Sequence, residues 1–327
     1  FGLAILALFG MYFLARLLYG RRAGLAAATL YGLLSPITDS MDANYGAWMI
    51  APYIWSFVFC VLAFKKKSVK WMVATGILLA VAGLMKRQAA LLFPLYGLLI
   101  VGVHRWSYPE SWPQWETRKP LMLGLMGGLA VGFAPMLIWY GAHGELGTFI
   151  QQYFLSESGW KYVKGELTMG ERLARLGDGF RGLWAYAATP TLLATVTILT
   201  RLKPTEPWTV RTVMVGGFLA LSFVGSALGL RFFKSYYLQI LPALILISVH
   251  PSGALGRWMA PGFWSLRAQA VGRSLLVALA GLFVLAPALI QDGYELDAIR
   301  RMRERPRDPV AHRIGAYIKD HTRPADT

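Results

Sequence analysis

The chain is short of charge, and the charge it has leans one way. Only 15% of its 327 residues are charged against 56% hydrophobic, and 33 Lys and Arg stand against 17 Asp and Glu. Soluble domains carry about 25% charged residues, so a soluble enzyme is excluded and the composition is that of a polytopic membrane protein. There is one cysteine, Cys60, inside an apolar run, which excludes a disulfide framework and a cysteine-based metal site. His104, His143, His250, His312 and His321 are too scattered for a zinc motif. No phosphate-cradling glycine loop, nucleophile elbow or nucleotide motif is present, and the glycines within apolar runs read as helix-packing positions. A net charge of +16 would point to nucleic acid in a soluble chain. Here the basic residues cluster between apolar runs, so they read as topology signal and anionic-lipid contact, and no nucleic-acid partner is expected.

Phe1 falls inside an apolar run without a charged n-region or cleavage site, so no signal peptide is expected there. The tail Arg323–Thr327 shows no stop to an element either, and the chain reads as a fragment open at both ends. Spans need roughly 17–25 mostly apolar residues. They are expected near 1–19, 23–38, 47–64, 71–85, 88–104, 120–140, 180–200, 212–230, 235–250 and 274–291. The expected fold is therefore an all-α polytopic membrane domain of about ten transmembrane helices. It occupies 1–293, with a long outer loop at about 141–180, and 294–327 begins a truncated extracytoplasmic domain.

Lys and Arg favour the cytoplasmic side of short loops. If the first span runs inward, the inner segments hold Arg16, Arg21, Arg22, Lys65, Lys66, Lys67, Lys70, Arg105, Arg118, Lys119, Arg201, Lys203, Arg211, Arg257, Arg267 and Arg273. Of the acids, only Glu110, Glu116 and Glu206 then fall inside. Two basic pairs break the pattern at the outer face: Lys86 with Arg87, and Arg231 with Lys234. Either they snorkel to the outer leaflet or pair with outer acids, or they bind an anionic ligand. Arg and Lys at a membrane edge suit a phosphate, held by a guanidinium fork and a point charge. In Arg231-Phe-Phe-Lys-Ser-Tyr236-Tyr237-Leu-Gln-Ile-Leu-Pro242 two tyrosines join those cations at the mouth of a span.

The first outer loop carries Asp39 and Asp42, three apart and so on one face of a helical turn. Such acids bind a divalent cation, or position and deprotonate an acceptor; alternatively Ser35 or Asp39 caps the turn after Pro36. The run His104–Trp115 reads as an interfacial aromatic belt. The outer segment 141–180, with Gln151-Gln-Tyr-Phe-Leu-Ser-Glu-Ser-Gly-Trp160, is amphipathic enough for helices lying on the membrane. It suits stacking on a sugar, or serves as a connector. After Tyr294 come Arg300, Arg301, Arg303, Arg305 and Arg307 in quick succession, and Ile314, Tyr317 and Ile318 have helical spacing.

Four stretches together resemble a known group. Leu14 to Tyr31 resembles the second and third spans of bacterial family 39-type glycosyltransferases, the GT-C group that includes protein O-mannosyltransferases and lipid A aminoarabinose transferases. Gly76 to Ala89 is similar to that group's hairpin ending in lysine, and Arg231 to Pro242 to its outer-face "R/K…YY-x-Q-x-x-P" segment. The tail Ile314 to Asp326 resembles the helix leading into its periplasmic domain.

The resemblance implies a multi-pass protein of the bacterial cytoplasmic membrane with its active face extracytoplasmic. It would pass a sugar from a polyprenyl-phosphate donor to a lipid or protein acceptor. By the same resemblance Lys86, Arg231 and Lys234 fall at lipid-phosphate positions and Asp42, less closely Asp39, near a second acidic site, while Arg87 stands where the group varies. Tyr236 and Tyr237 join the phosphate set. The group's principal catalytic acid lies in a loop that would precede Phe1, so the chain alone is expected to be inactive. No cofactor is required by these motifs, and a divalent cation is left open. The alternatives are a secondary transporter or flippase, which would set charges near the bilayer midplane with internal repeats, or a surface-polysaccharide ligase or polymerase.

Overall fold

The computed structural model describes residues 2–38, 45–102, 115–155, 168–201, 210–227, 232, 234–251, 253 and 255–256. In chain order the helices are α1 Gly2–Tyr19, α2 Arg21–Leu34, α3 Tyr45–Lys66, α4 Val69–Met85, α5 Leu92–Gly102, α6 Trp115–Ala142, α7 Leu146–Ile150, α8 Met169–Arg201, α9 Val210–Ala227 and α10 Lys234–Ser248. Short 3-10 turns follow α2 at Pro36–Thr38 and α4 at Arg87–Leu91, and a π-helical turn follows α7 at Gln151–Leu155. The chain divides into two units, 1–272 and 273–327. The second lies outside the described residues, together with the expected tenth span and the interfacial belt of 104–115.

Within the described residues each of the first nine expected spans lies on a helix, and no strand is present. Among the described residues four helices are long and apolar enough to cross a membrane: Gly2–Tyr19, Tyr45–Lys66, Arg118–Ala142 and Met169–Leu199. Val69–Met85, Arg87–Val101, Thr212–Ala227 and Ser235–Ser248 are shorter apolar helices. The chain is thus an all-α polytopic membrane protein.

Boundaries moved where local chemistry outweighs hydropathy. α2 stops at Leu34, because Pro36 has no N–H to continue the ladder and Ser35 closes the helix onto Tyr31 O at 2.9 Å. α8 begins at Met169, well before the expected 180. A capping box sets that start: Glu171 Oε2 accepts from Thr168 N at 2.8 Å, and Thr168 Oγ1 accepts from Glu171 N at 3.3 Å. At about 1.5 Å per residue α8 is longer than the roughly 30 Å hydrocarbon core, so its charged first half projects past the apolar half. The two halves meet at a kink, with Ala187 non-helical at φ −143° and ψ 33°. Pro190 accounts for it, since its ring excludes the regular backbone of the preceding turn.

Packing depends on close helix approach. A Cβ on Gly128 of α6 would fall 2.1 Å from Val73 O of α4, and one on Gly76 of α4 would fall 2.4 Å from Leu125 O. Only glycines let these backbones touch, as in membrane helix pairs generally. Elsewhere aromatic stacking and buried hydroxyls join α3, α5 and α9. Phe57 and Phe218 stack at 4.6 Å, Tyr53 and Ser222 share a 2.8 Å hydrogen bond, and Ser56 and Tyr96 one of 2.9 Å.

The hairpin order gives the unit two chemically distinct ends. At one end Lys65 donates to Leu17 O, Tyr19 packs edge-on to His250 at 4.9 Å, and Lys66 and Lys70 lie over Trp71. At the other end sit Lys86, Tyr153 and Tyr236.

Candidate functional site

α4 ends because Lys86 leaves the helical region, at φ −151° and ψ 110°. Its N–H still closes the last turn onto Ala82 O at 2.9 Å, and its carbonyl accepts from Ala89 N at 2.9 Å to open the 3-10 turn. The side chain is thereby presented between two helices rather than along either one. Its ammonium sits over the ring of Tyr236, 3.9 Å from the centroid. A cation over an aromatic face at that range is attracted by the ring quadrupole. Among the described residues no carboxylate pairs with Lys86. Burial lowers its pKa from 10.5 to about 8, because desolvation disfavours the charged form.

The two stretches singled out in the sequence, the hairpin at 83–89 and the segment 231–242, therefore meet through Lys86 and Tyr236. Tyr236 belongs to the first turn of α10, and its carbonyl accepts from Ser226 of α9 at 3.0 Å. Tyr237 points elsewhere. It is 1% exposed, its hydroxyl donates to Gly179 O of α8 at 2.9 Å, and its ring packs on Tyr186. That hydroxyl is committed to the protein, so Tyr236 and not Tyr237 borders Lys86.

Arg87 leans to the turn after α7, donating to Tyr153 O at 3.0 Å. Tyr153 returns its hydroxyl to Gly83 O in the last turn of α4. Burial raises the Tyr153 phenol to about 12, with Arg87 opposing the shift. Behind it Tyr153 stacks on Phe149 at 5.4 Å, and Phe149 on Tyr140 at 4.8 Å. The aromatics of α6, α7 and the turn after it thus brace the Lys86 hairpin. Tyr153 was missed as a site residue, although Gln151-Gln-Tyr-Phe had been noted for another purpose.

Lys234 opens α10. Arg231, Asp39 and Asp42 lie outside the described residues. The turn Pro36–Thr38, directly before Asp39, packs against α10, with Thr38 fully buried and donating to Ser35 O at 2.9 Å. Among the described residues no three His, Cys, Asp or Glu side chains gather to hold a metal ion. The acids proposed for a divalent cation, Asp39 and Asp42, are not among those residues.

Residues 3–139 match the family model described as dolichyl-phosphate-mannose-protein mannosyltransferase. That stretch is less than half of the chain and holds α1 to α5, most of α6, Asp39 and Asp42, and Lys86. No curated protein and no solved structure matches the chain. Over residues 3–139 the chain is thus similar to the dolichyl-phosphate-mannose-protein mannosyltransferases, a likeness that supports a GT-C type membrane glycosyltransferase.

Proposed function

We propose that the chain transfers a sugar from a polyprenyl-phosphate donor to a lipid or protein acceptor at the outer face of a bacterial cytoplasmic membrane. The observation that supports this reading is Lys86. A lysine ammonium with an aromatic face beside it, and no carboxylate among the described residues, is suited to an anion arriving from outside. In the transfer the bond from the sugar's anomeric carbon to the phosphate oxygen breaks, and a bond from that carbon to the acceptor oxygen or nitrogen forms. The acceptor proton passes to a base, and the lipid phosphate leaves as an anion. Lys86 stabilises the charge that develops on that leaving group, and Arg231 and Lys234 are proposed to share it. Asp42, and less directly Asp39, are proposed to orient or deprotonate the acceptor. The matching family's description names mannose and a protein, and those are the first sugar and acceptor to assay.

The test uses a polyprenyl methyl phosphate, a diester that carries the lipid and the phosphate but no sugar. Its binding is measured on the full-length protein in nanodiscs. Lys86→Ala is expected to weaken binding at least tenfold, as the loss of a partly desolvated charge-assisted contact implies. Unchanged binding in that variant would sink the lipid-phosphate reading.

A further inference from the structure

Tyr237 and the two glycines beneath it carry a role that neither the sequence motifs nor the family match assigns. A Cβ built on Gly182 of α8 would fall 1.8 Å from the Tyr237 hydroxyl and 2.4 Å from its Cζ. One built on Gly179 would fall 2.5 Å from Cε1 of Phe232. These glycines form a seat in α8 that accepts the start of α10, and the Tyr237 hydroxyl closes it by donating to Gly179 O. Successive residues of a helix are turned by about 100°. Fixing Tyr237 into α8 therefore sets the direction in which Tyr236 faces, and it faces Lys86. Ser226 holds the same turn from α9 through the Tyr236 carbonyl.

We propose that Tyr237, seated in Gly179 and Gly182, is a positioning residue that holds the Tyr236 ring over Lys86 and keeps water from the ammonium. The inference rests on the lipid-phosphate reading of Lys86. Tyr237 touches no ligand; it acts through Tyr236. Among the described residues the titratable or charged groups at this corner are Tyr236 from α10, Arg87 beside Lys86, and Tyr153 from the turn after α7.

Two variants perturb the seat in opposite ways. Gly182→Ala pushes the Tyr237 ring out, and Tyr237→Leu empties the seat without a clash, so one informs if the other fails to fold. Both are read on the full-length protein in nanodiscs, by binding of the polyprenyl methyl phosphate across pH, after size-exclusion confirms a monodisperse sample. With the ring displaced, binding at neutral pH is expected to weaken about three- to tenfold, the range of a cation–π contact. The pH at which binding fades is expected to move up from about 8, because a hydrated lysine returns toward its ordinary value. Weaker binding with that midpoint unmoved would mean a packing role only, and overturns the proposal. So would wild-type binding and midpoint in both variants while Lys86→Ala is defective, an outcome that leaves the lipid-phosphate reading standing. If Lys86→Ala itself binds normally, both fall together.

Discussion

Raising the pH should separate donor binding from stability, because the Lys86 charge acts on the two in opposite directions. Its pKa lies near 8 in the folded protein, against 10.5 unperturbed. The polyprenyl methyl phosphate is a diester, so its single charge does not change between pH 6 and 10. If only protonated Lys86 binds it, the apparent dissociation constant scales as one plus ten to the power of pH minus pKa. For a pKa near 8 that gives roughly a tenfold loss of affinity from pH 7 to pH 9. Stability moves the other way. Between pH 8 and 10.5 the unfolded chain holds a proton on this lysine that the folded chain has lost. The unfolded state thus binds more protons, and stability rises with pH across that window. The full shift corresponds to roughly 3 kcal/mol, an upper figure for a side chain that is partly exposed. The assay is binding in nanodiscs at half-unit pH steps, beside thermal melting of the same samples. Lys86→Arg is the decisive control, since arginine stays charged throughout and its binding should not fade near pH 8. Affinity flat to pH 9.5 in the wild type, or the same midpoint in Lys86→Arg, would refute the reasoning. Tyr153, raised to about 12, supplies no substitute titration in that range.

Three further outcomes are expected. Arg231→Ala should abolish transfer while leaving membrane insertion intact, checked by turnover and by membrane fractionation; unchanged turnover would remove Arg231 from the phosphate set. Asp42→Asn should slow transfer more than Asp39→Asn, and equal, negligible effects on the rate would return both residues to capping the turn after Pro36. Gly128→Ala should destabilise the α4–α6 pair by about 1–3 kcal/mol, the usual penalty of overpacking, because its Cβ meets the Val73 carbonyl; an unchanged melting temperature in detergent would show that the crossing relaxes freely.

Hydropathy located the helices because partition into lipid is a property of composition over a long window. It did not locate the ends that matter for the site. The first half of α8, with Glu171, Arg172, Arg175, Asp178 and Arg181, carries too much charge to register as a span. Its start was nevertheless written in Thr168-Met-Gly-Glu171, a capping box whose two reciprocal hydrogen bonds form in the structure. The meeting of Lys86 with the 231–242 segment was legible, because both basic pairs fell on one face when the loops were sorted by charge. Which of two adjacent tyrosines faces the lysine was not. That choice depends on the rotation of α10, and the rotation depends on Gly179 and Gly182, some 55 residues earlier in the chain. A glycine in an apolar sequence shows where another chain can approach, not which side chain does. Arg231, Asp39 and Asp42 stay as the sequence left them, outside the described residues.

Among the described residues the companion of Lys86 is a ring face and not a carboxylate, and this bears on how the site cycles. A carboxylate counter-ion would compete with every incoming anion and would have to be displaced before each one could bind. Tyr236 offers a weak, uncharged resting place. An ammonium that keeps the ring beneath it while a phosphate binds gives up little, and on release of that phosphate it still has the ring instead of standing bare at the membrane edge. Such a partner favours rapid exchange of anions over tight retention of any one of them, as the proposed transfer would need for release of its spent carrier phosphate.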